Sequence, residues 1–490
     1  MVKRGFLTRW FLLSWFLLGW FLLGVPHSMQ AQAPAGTMVR SFRQEAVLRG
    51  ASVGIYMAEL SSGKILMSEG AGLLLAPAST LKTVTTAAAL ELLGPGYRFR
   101  TVYGYHGRID TEKGWLEGDL VVRGGGDPTL GSSAMEEALS PEAVATRIIG
   151  RLKQNGITTI GGDLVVDISA YPEGEIPGSW AWEDVGNYYG AGASALTFAD
   201  NTISLFFDTP ARSGEPVTLV REEPRVPWVR WQNELKSSSV NRDLAWIYGS
   251  PWGAERVIRG TIPAGQKDYS IKASLPEPPR WFGTFLSSSL TAAGIAFQGK
   301  VIVADHPAEL VPLDTLYSPP LSRIIKEINH KSVNLYAEHL VLQMALEKTG
   351  KGDLAQGLQT MTSFWKEKGA AEGLILEDGS GLSRFNAITA HTLVRILTLA
   401  AQGPQGPVFR SSLPTAGNGT LSGFTSTDFP ATTLQCKSGS MERVRAYAGY
   451  LRCASGRDIV FAILVNNFPG TAQEVTAKIR ELLRETRRKY

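Results

Sequence analysis

What most narrows the possible folds of this 490-residue chain is a long interruption in its pattern. Residues 51–60 and 64–68 alternate apolar and polar side chains around Ser61-Ser62-Gly63, the pattern of a strand hairpin. Pro77-Ala78-Ser79 then opens an Ala-, Thr- and Leu-rich run to Leu93, closed by Gly94-Pro95-Gly96, so a helix is marked at both ends. From about Tyr97 to Ser274 the texture changes. Short β-like runs (120–123, 162–167, 202–207) alternate there with Gly- and Pro-rich turns, and Trp is frequent. Helical patterning returns over 320–348, 354–368 and 387–401, followed by strands over 445–453 and 458–466. An amphipathic helix from Thr471 closes the chain, with Val475, Ile479 and Leu482 along one side. The expected class is therefore α+β: an antiparallel sheet with flanking helices, interrupted by a long, mostly β insertion. The expected divisions are a leader at 1–33, the first part of the sheet-and-helix unit at 34–100, the insertion at 101–274 and the second part at 275–490.

The leader is read from its three parts. Lys3, Arg4 and Arg9 precede an uncharged stretch from Trp10 to Val25, Pro26 breaks it, and Ala31-Gln32-Ala33 offers a signal peptidase its small residues. A retained anchor is the alternative, but the apolar run is short of the ~20 residues a span needs. No second long apolar run follows, so the mature chain is expected to be soluble, without a membrane span, in the periplasm or otherwise outside the cytoplasm. A net charge of +4 with scattered Lys and Arg argues against nucleic acid as a partner. The six His show no paired ligand spacing, so no metal site and no cofactor are expected. Export permits a disulfide between the two cysteines. A hairpin centred between residues 444 and 445 would set Cys436 against Cys453; two separate buried thiols are the alternative.

A serine that attacks an amide needs a base, and a lysine three residues on along a helix lies on the same face. Ser-x-x-Lys occurs three times. Ser61/Lys64 sits in the hairpin turn and Ser363/Lys366 inside an ordinary amphipathic helix, whereas Ser79-Thr80-Leu81-Lys82 stands at a helix start. The positive helix end there favours a developing oxyanion and disfavours a charged lysine. Bringing a lysine from ~10.4 toward neutrality takes burial and a second nearby cation. Lys437, in Lys437-Ser438-Gly439-Ser440 on a strand-like run, is the candidate for that cation. Gly439 would let a substrate approach the strand edge, and Ser438 and Lys437 would meet its carboxylate. The backbone N–H groups of Ser79 and Ser440 are the candidate oxyanion hole. Lys348-Thr349-Gly350 has a related form but closes a helix, where its glycine has a sufficient structural role. Ser332-Val333-Asn334 opens a helix. Ser332 there would relay protons between Lys82 and the leaving group, and Asn334 would hold the substrate backbone. Ser239-Val240-Asn241 has the same form in a polar loop.

Ser-x-x-Lys, Ser-x-Asn and Lys-Ser-Gly in this order resemble the pattern of the penicillin-recognising serine enzymes. With the long stretch between Ser79 and Ser332, the chain resembles their D-alanyl-D-alanine carboxypeptidase/endopeptidase group, the class C low-molecular-mass penicillin-binding proteins. Further matches are Gly124-Gly125-Gly126-Asp127-Pro128, Gly162-Asp163-Leu164-Val165-Val166-Asp167 and Asp378-Gly379-Ser380-Gly381-Leu382-Ser383. The resemblance implies a split transpeptidase-like domain and an acyl-enzyme on Ser79, with peptidoglycan stem peptides as substrate and β-lactams as inhibitors. It also implies that Asp167 contacts the free amino group of a diaminopimelate side chain, with a turn-capping Asp as the plain alternative. Ser438 stands where threonine is commoner and keeps the hydroxyl. Trp180, Trp182, Trp228, Trp231, Trp246 and Trp252 are read first as filling of small β domains and second as stacking surfaces for glycan rings. Two other functions share the motifs: a β-lactamase, and a non-catalytic cell-wall-binding or penicillin-sensing protein.

Overall fold

The computed structural model describes residues 32–171 and 176–490; the expected leader as far as Ala31 lies outside them. Strands from the two ends of the chain meet in one five-stranded antiparallel sheet, in the order Leu434–Met441, Val444–Arg452, Asp458–Asn466, Ser52–Glu59 and Ile65–Glu69. Alternation along Asp458–Asn466 explains why this sheet sits in the middle. Val460, Ala462 and Leu464 point to one face, while Ile459, Phe461, Ile463 and Val465 point to the other, and all are buried. Each of the larger side chains contributes about 1.5–3 kcal/mol of burial, so both faces demand a cover.

The core on the first face takes in Ala390–Gln402 and Lys82–Leu93, with Asn334–Thr349 packed on Lys82–Leu93 behind them, and the second face is covered by Gln32–Gln44 and Ala472–Lys489. Lys82–Leu93 is buried on every side from Lys82 to Leu90. Its Ala87-Ala88-Ala89 and threonines carry little bulk, and a helix without a polar face belongs in the interior. The helical pattern over 320–348 divides in two, Leu321–Lys331 and Asn334–Thr349, and Ser332 at the break adopts φ 62°, ψ 38°.

Between these halves, Arg100–Asp110 starts a seven-stranded mixed sheet. Val311–Tyr317 pairs with that strand, and Val301–Ala304 pairs with Leu164–Asp167, so the chain past residue 274 is still built into this sheet. Its core takes Val144, Ile148 and Leu152 from the helix Pro141–Gln154, and Phe282, Leu286 and Leu290 from Pro278–Ala292. Two smaller sheets, of four and three strands, share a further core around Leu205, Phe207, Ile247 and Ile258. Among the described residues no helix is long and apolar enough to cross a membrane.

The terminal hairpin pairs Met441 with Val444 and Cys436 with Gly449, so its turn centres between residues 442 and 443 instead of 444 and 445. Cys453 lies beyond the strand end, and both cysteines are free and buried. The cross-strand disulfide is thereby replaced by two separate thiols.

Candidate active site

Ser79 lies half-buried in a tight 3₁₀ turn, Ala78–Leu81, that leads directly into the helix beginning at Lys82. Thr80 holds the turn, donating from Oγ1 (2.7 Å) and from its backbone N (3.3 Å) to the Pro77 carbonyl. Ala78 is completely buried with φ of +46°, a conformation costing a non-glycine residue about 1–3 kcal/mol unless its surroundings impose it. Two glycines provide those surroundings. A side chain on Gly439 would come within 2.6 Å of the Pro77 carbonyl and 3.1 Å of the Thr80 nitrogen, and one on Gly381 would collide with the Ala78 carbonyl. The space expected to admit substrate at Gly439 is therefore filled by the turn that carries Ser79.

Lys82 is fully buried, with Nζ 3.0 Å from Ser79 Oγ, 2.6 Å from Asn334 Oδ1 and 2.7 Å from the Ser380 carbonyl. None of these partners is an anion. Burial lowers its pKa to about 7, against the opposing pull of the Asp378 and Glu338 carboxylates. Lys437, also fully buried, places Nζ 3.0 Å from Ser332 Oγ and 2.9 Å from the Ser438 carbonyl. Burial first, then repulsion from Lys82, holds its pKa well below the ordinary lysine value. Burial is the main cause for both lysines, and the repulsion between them works in the same direction.

Asn334 Oδ1 accepts from Lys82 and Nδ2 donates to the Tyr189 carbonyl at 2.8 Å, so the half-buried amide joins Lys82 to the inserted chain while the residue lines the cleft. Ser440 is exposed and takes a short hydrogen bond from Arg445 on the neighbouring strand. Ser438 is half-buried. The strand Leu434–Met441 that carries both serines is the edge of its sheet; Thr415 bridges Gln435 and Cys436 N donates to the Pro414 carbonyl at 3.2 Å, so the edge beyond Cys436 is the part available to an added strand.

Asp167 is not brought to this site. It is fully buried at the end of Leu164–Asp167, and its carboxylate takes Arg123 Nε (2.7 Å), Ser169 N (2.9 Å) and Ala308 N (3.1 Å). Those bonds hold its pKa below the usual value despite burial. They fit the plain alternative of an Asp bonded within the protein, and Asp167 is not among the residues lining the cleft that holds Ser79. Of the look-alike motifs, Lys348-Thr349-Gly350 ends a helix with Gly350 at φ +82°, and Ser239-Val240-Asn241 is an exposed loop.

Two carboxylates stand behind Lys82: Asp378, which belongs to a segment matched in the sequence without a role of its own, and Glu338, which is not among the expected residues. Glu338, one turn past Asn334 and 2% exposed, accepts from Gly379 N (3.0 Å) and Ser380 N (2.8 Å). Burial and the Asp378 carboxylate push its pKa up. Asp378 accepts from Gly381 N, Ser383 N, Asn386 Nδ2 and Trp180 Nε1 at 2.6–2.9 Å. Together they hold the loop whose Ser380 carbonyl meets Lys82. The Gly-rich segment was visible in the sequence; Glu338 had no signal beyond its spacing from Asn334.

These groups converge on a cleft of about 1080 Å³ whose lining includes Ser79, Ser332, Asn334, Ser440, Arg384 and Tyr188. The sequence matches the model of the D-Ala-D-Ala carboxypeptidase 3 (S13) family over residues 37–489. It is 30% identical over 372 residues to a D-alanyl-D-alanine carboxypeptidase of an Actinomadura species, spanning 72% of this chain and 66% of that relative. Over 400 residues it is 25% identical to the D-alanyl-D-alanine carboxypeptidase DacB of Haemophilus influenzae, 80% of this chain and 81% of the other. The fold follows that of penicillin binding protein 4 from the same organism, with a TM-score of 0.79 at 23% identity over 91% of this chain and 98% of the other. With nearly all the described residues inside the family match, the chain belongs to the D-Ala-D-Ala carboxypeptidase 3 (S13) family of peptidases.

Proposed function

We propose that this protein is a serine D-Ala-D-Ala carboxypeptidase and endopeptidase, acting on peptidoglycan stem peptides outside the cytoplasm through an acyl-enzyme on Ser79. The observation that carries the proposal is the pair of fully buried lysines, each 3.0 Å from its own hydroxyl beside one cleft. At neutral pH a substantial fraction of Lys82 is the free amine. It takes the proton of Ser79 Oγ as the oxygen attacks the carbonyl carbon of the penultimate D-Ala. The developing oxyanion is met by the backbone N–H groups of Ser79 and Ser440. Collapse breaks the C–N bond, and the departing amine receives a proton from Lys82 through the Ser332 hydroxyl, which Lys437 keeps in place. A water then attacks the ester, with the same lysine as base, and frees the acid and Ser79.

In this reading the substrate lies as an added strand along the Ser438–Met441 end of Leu434–Met441, with its terminal carboxylate at Ser438 and Ser440, and Gly439 serves by letting the protein strand close on the Ser79 turn. Asn334 aims Lys82. Penicillins present a strained amide and a carboxylate in the same relation and acylate the same serine. Release of D-Ala from a pentapeptide ending in D-Ala-D-Ala tests the proposal. The purified protein is expected to release it and Ser79→Ala to lose that activity. Rapid turnover of penicillin without D-Ala release would instead mark a β-lactamase, and D-Ala release unchanged in Ser79→Ala would remove the proposed nucleophile.

A further inference from the structure

Part of the cleft is lined by aromatic rings from the inserted chain: Tyr188, Tyr189, Trp246 and Tyr248, with Lys272 beside them. Trp246 is 42% exposed and Tyr188 55%. The strand Leu244–Tyr248 sends Ile247 into the core and turns the face with Trp246 and Tyr248 to the cleft. A large ring left in water forfeits about 1.5–3 kcal/mol of burial, so two on one wall make a surface suited to a ligand that covers them.

That wall is fixed relative to the lysines. Asn187 Oδ1 accepts from Ile247 N at 3.2 Å, the Gly186 carbonyl accepts from Ser274 N at 2.9 Å, and the Tyr189 carbonyl accepts from Asn334 Nδ2 at 2.8 Å. One short segment thus ties the Trp246 strand to the residue that aims Lys82. The cleft's 1080 Å³ reaches the top of the ~300–1,000 Å³ range of pockets that enclose a whole ligand. Two D-alanyl residues use a small part of it.

We propose that the Trp246–Tyr188 wall binds the amino-sugar disaccharide from which the stem peptide hangs, an inference that rests on the stem-peptide reading of the site. A pyranose ring offers a face of C–H groups that lies flat on an aromatic ring, while its hydroxyl and amide groups stay at the edge. Lys272 is placed to meet that edge. Four extended residues separate the sugar from the scissile carbonyl, a reach of about 14 Å. The sugar therefore binds away from Ser79, and the wall continues the same cleft.

The test compares a free stem pentapeptide with the same pentapeptide on its disaccharide. Wild type is expected to use the disaccharide form with kcat/KM about tenfold higher. Trp246→Ala should erase that advantage, leave the free peptide and penicillin acylation within twofold of wild type, and Trp246→Phe should keep most of it. Calorimetric titration with the disaccharide-tripeptide, which has no D-Ala-D-Ala bond, should show at least tenfold weaker binding to Trp246→Ala. Equal use of both substrates by wild type overturns the inference, as does an equal loss on both in Trp246→Ala. The same sensitivity to Trp246→Ala with a sugar-free cross-linked peptide assigns the wall to a second peptide and also overturns it. If no peptide is cleaved but titration still depends on Trp246, the sugar site stands and the peptidase reading falls.

Discussion

The two flanks of the cleft treat charge in opposite ways. On the flank built from the five-stranded sheet and its helices, Lys82, Lys437, Glu338 and Asp378 are all at most 2% exposed. On the inserted flank, Lys272 is exposed and Glu183, half-buried, pairs with the exposed Arg384 at 3.0 Å. Lysines that are buried without a carboxylate in contact lose their ordinary basicity, and that converts a cation into a proton acceptor. Asp167 completes the contrast, since it is as buried as Lys82 yet meets Arg123 directly and stays charged.

Removing the groups on the buried flank is therefore expected to have the largest effects. Ser79→Ala should abolish penicillin acylation, and Lys82→Ala should slow it by about 10²–10⁴-fold, the usual worth of a positioned base. Lys82→Arg should do no better, because a guanidinium cannot give up its proton. Stopped-flow acylation rates check all three, with circular dichroism to show that the fold is kept. Lys437→Ala should cost on the order of 10²-fold in the same assay, since Ser332 loses the group that orients it.

The wild-type pH profile sharpens the comparison further. In the proposed mechanism Lys82 acts as the neutral amine, so the acylation rate should rise about tenfold per pH unit at low pH and level off above about 7. The Asp378 carboxylate raises the pKa of Lys82. Asp378→Asn should therefore move that limb to lower pH, while calorimetry shows some loss of stability from its disturbed loop bonds. A limb that moves to higher pH would break the electrostatic account. The smallest effect on activity belongs to the inserted layers. Asp167→Asn should leave penicillin acylation within twofold of wild type but cost about 1–3 kcal/mol in urea unfolding, less than a fully buried pair because Arg123 reaches solvent.

How much of this could be read beforehand follows the locality of each signal. Ser79 and Lys82 are three residues apart on a helix, a spacing visible in any string of letters. Lys437 was legible from a strand pattern, and Ser332 from its place before a helix; the left-handed break that sets it was not. Glu338 escaped because its helix is buried on all sides and offers no apolar stripe from which a lone carboxylate stands out. The hairpin register slipped because the turn's positive φ of 54° is carried by Arg443, not by a glycine or asparagine that would have announced it. The helix Pro141–Gln154 did carry a signal, with Ser140 capping Ala143 N and Pro141 in its first turn, and it was passed over among short β-like runs. The partners of Asp167, Arg123 and Ala308, come from distant segments, so no local pattern announces its bonds.

Folding brings the Ser79 hydroxyl within 3.0 Å of the buried Lys82 amine, and on the proposed mechanism this pair reacts with β-lactams. Peptide mapping by mass spectrometry after brief exposure to penicillin addresses this most directly. A single added penicilloyl group on the peptide containing Ser79, absent in Lys82→Ala over the same interval, is the predicted result. An adduct on the peptide of Ser61 or Ser363, or equal labelling without Lys82, would contradict it.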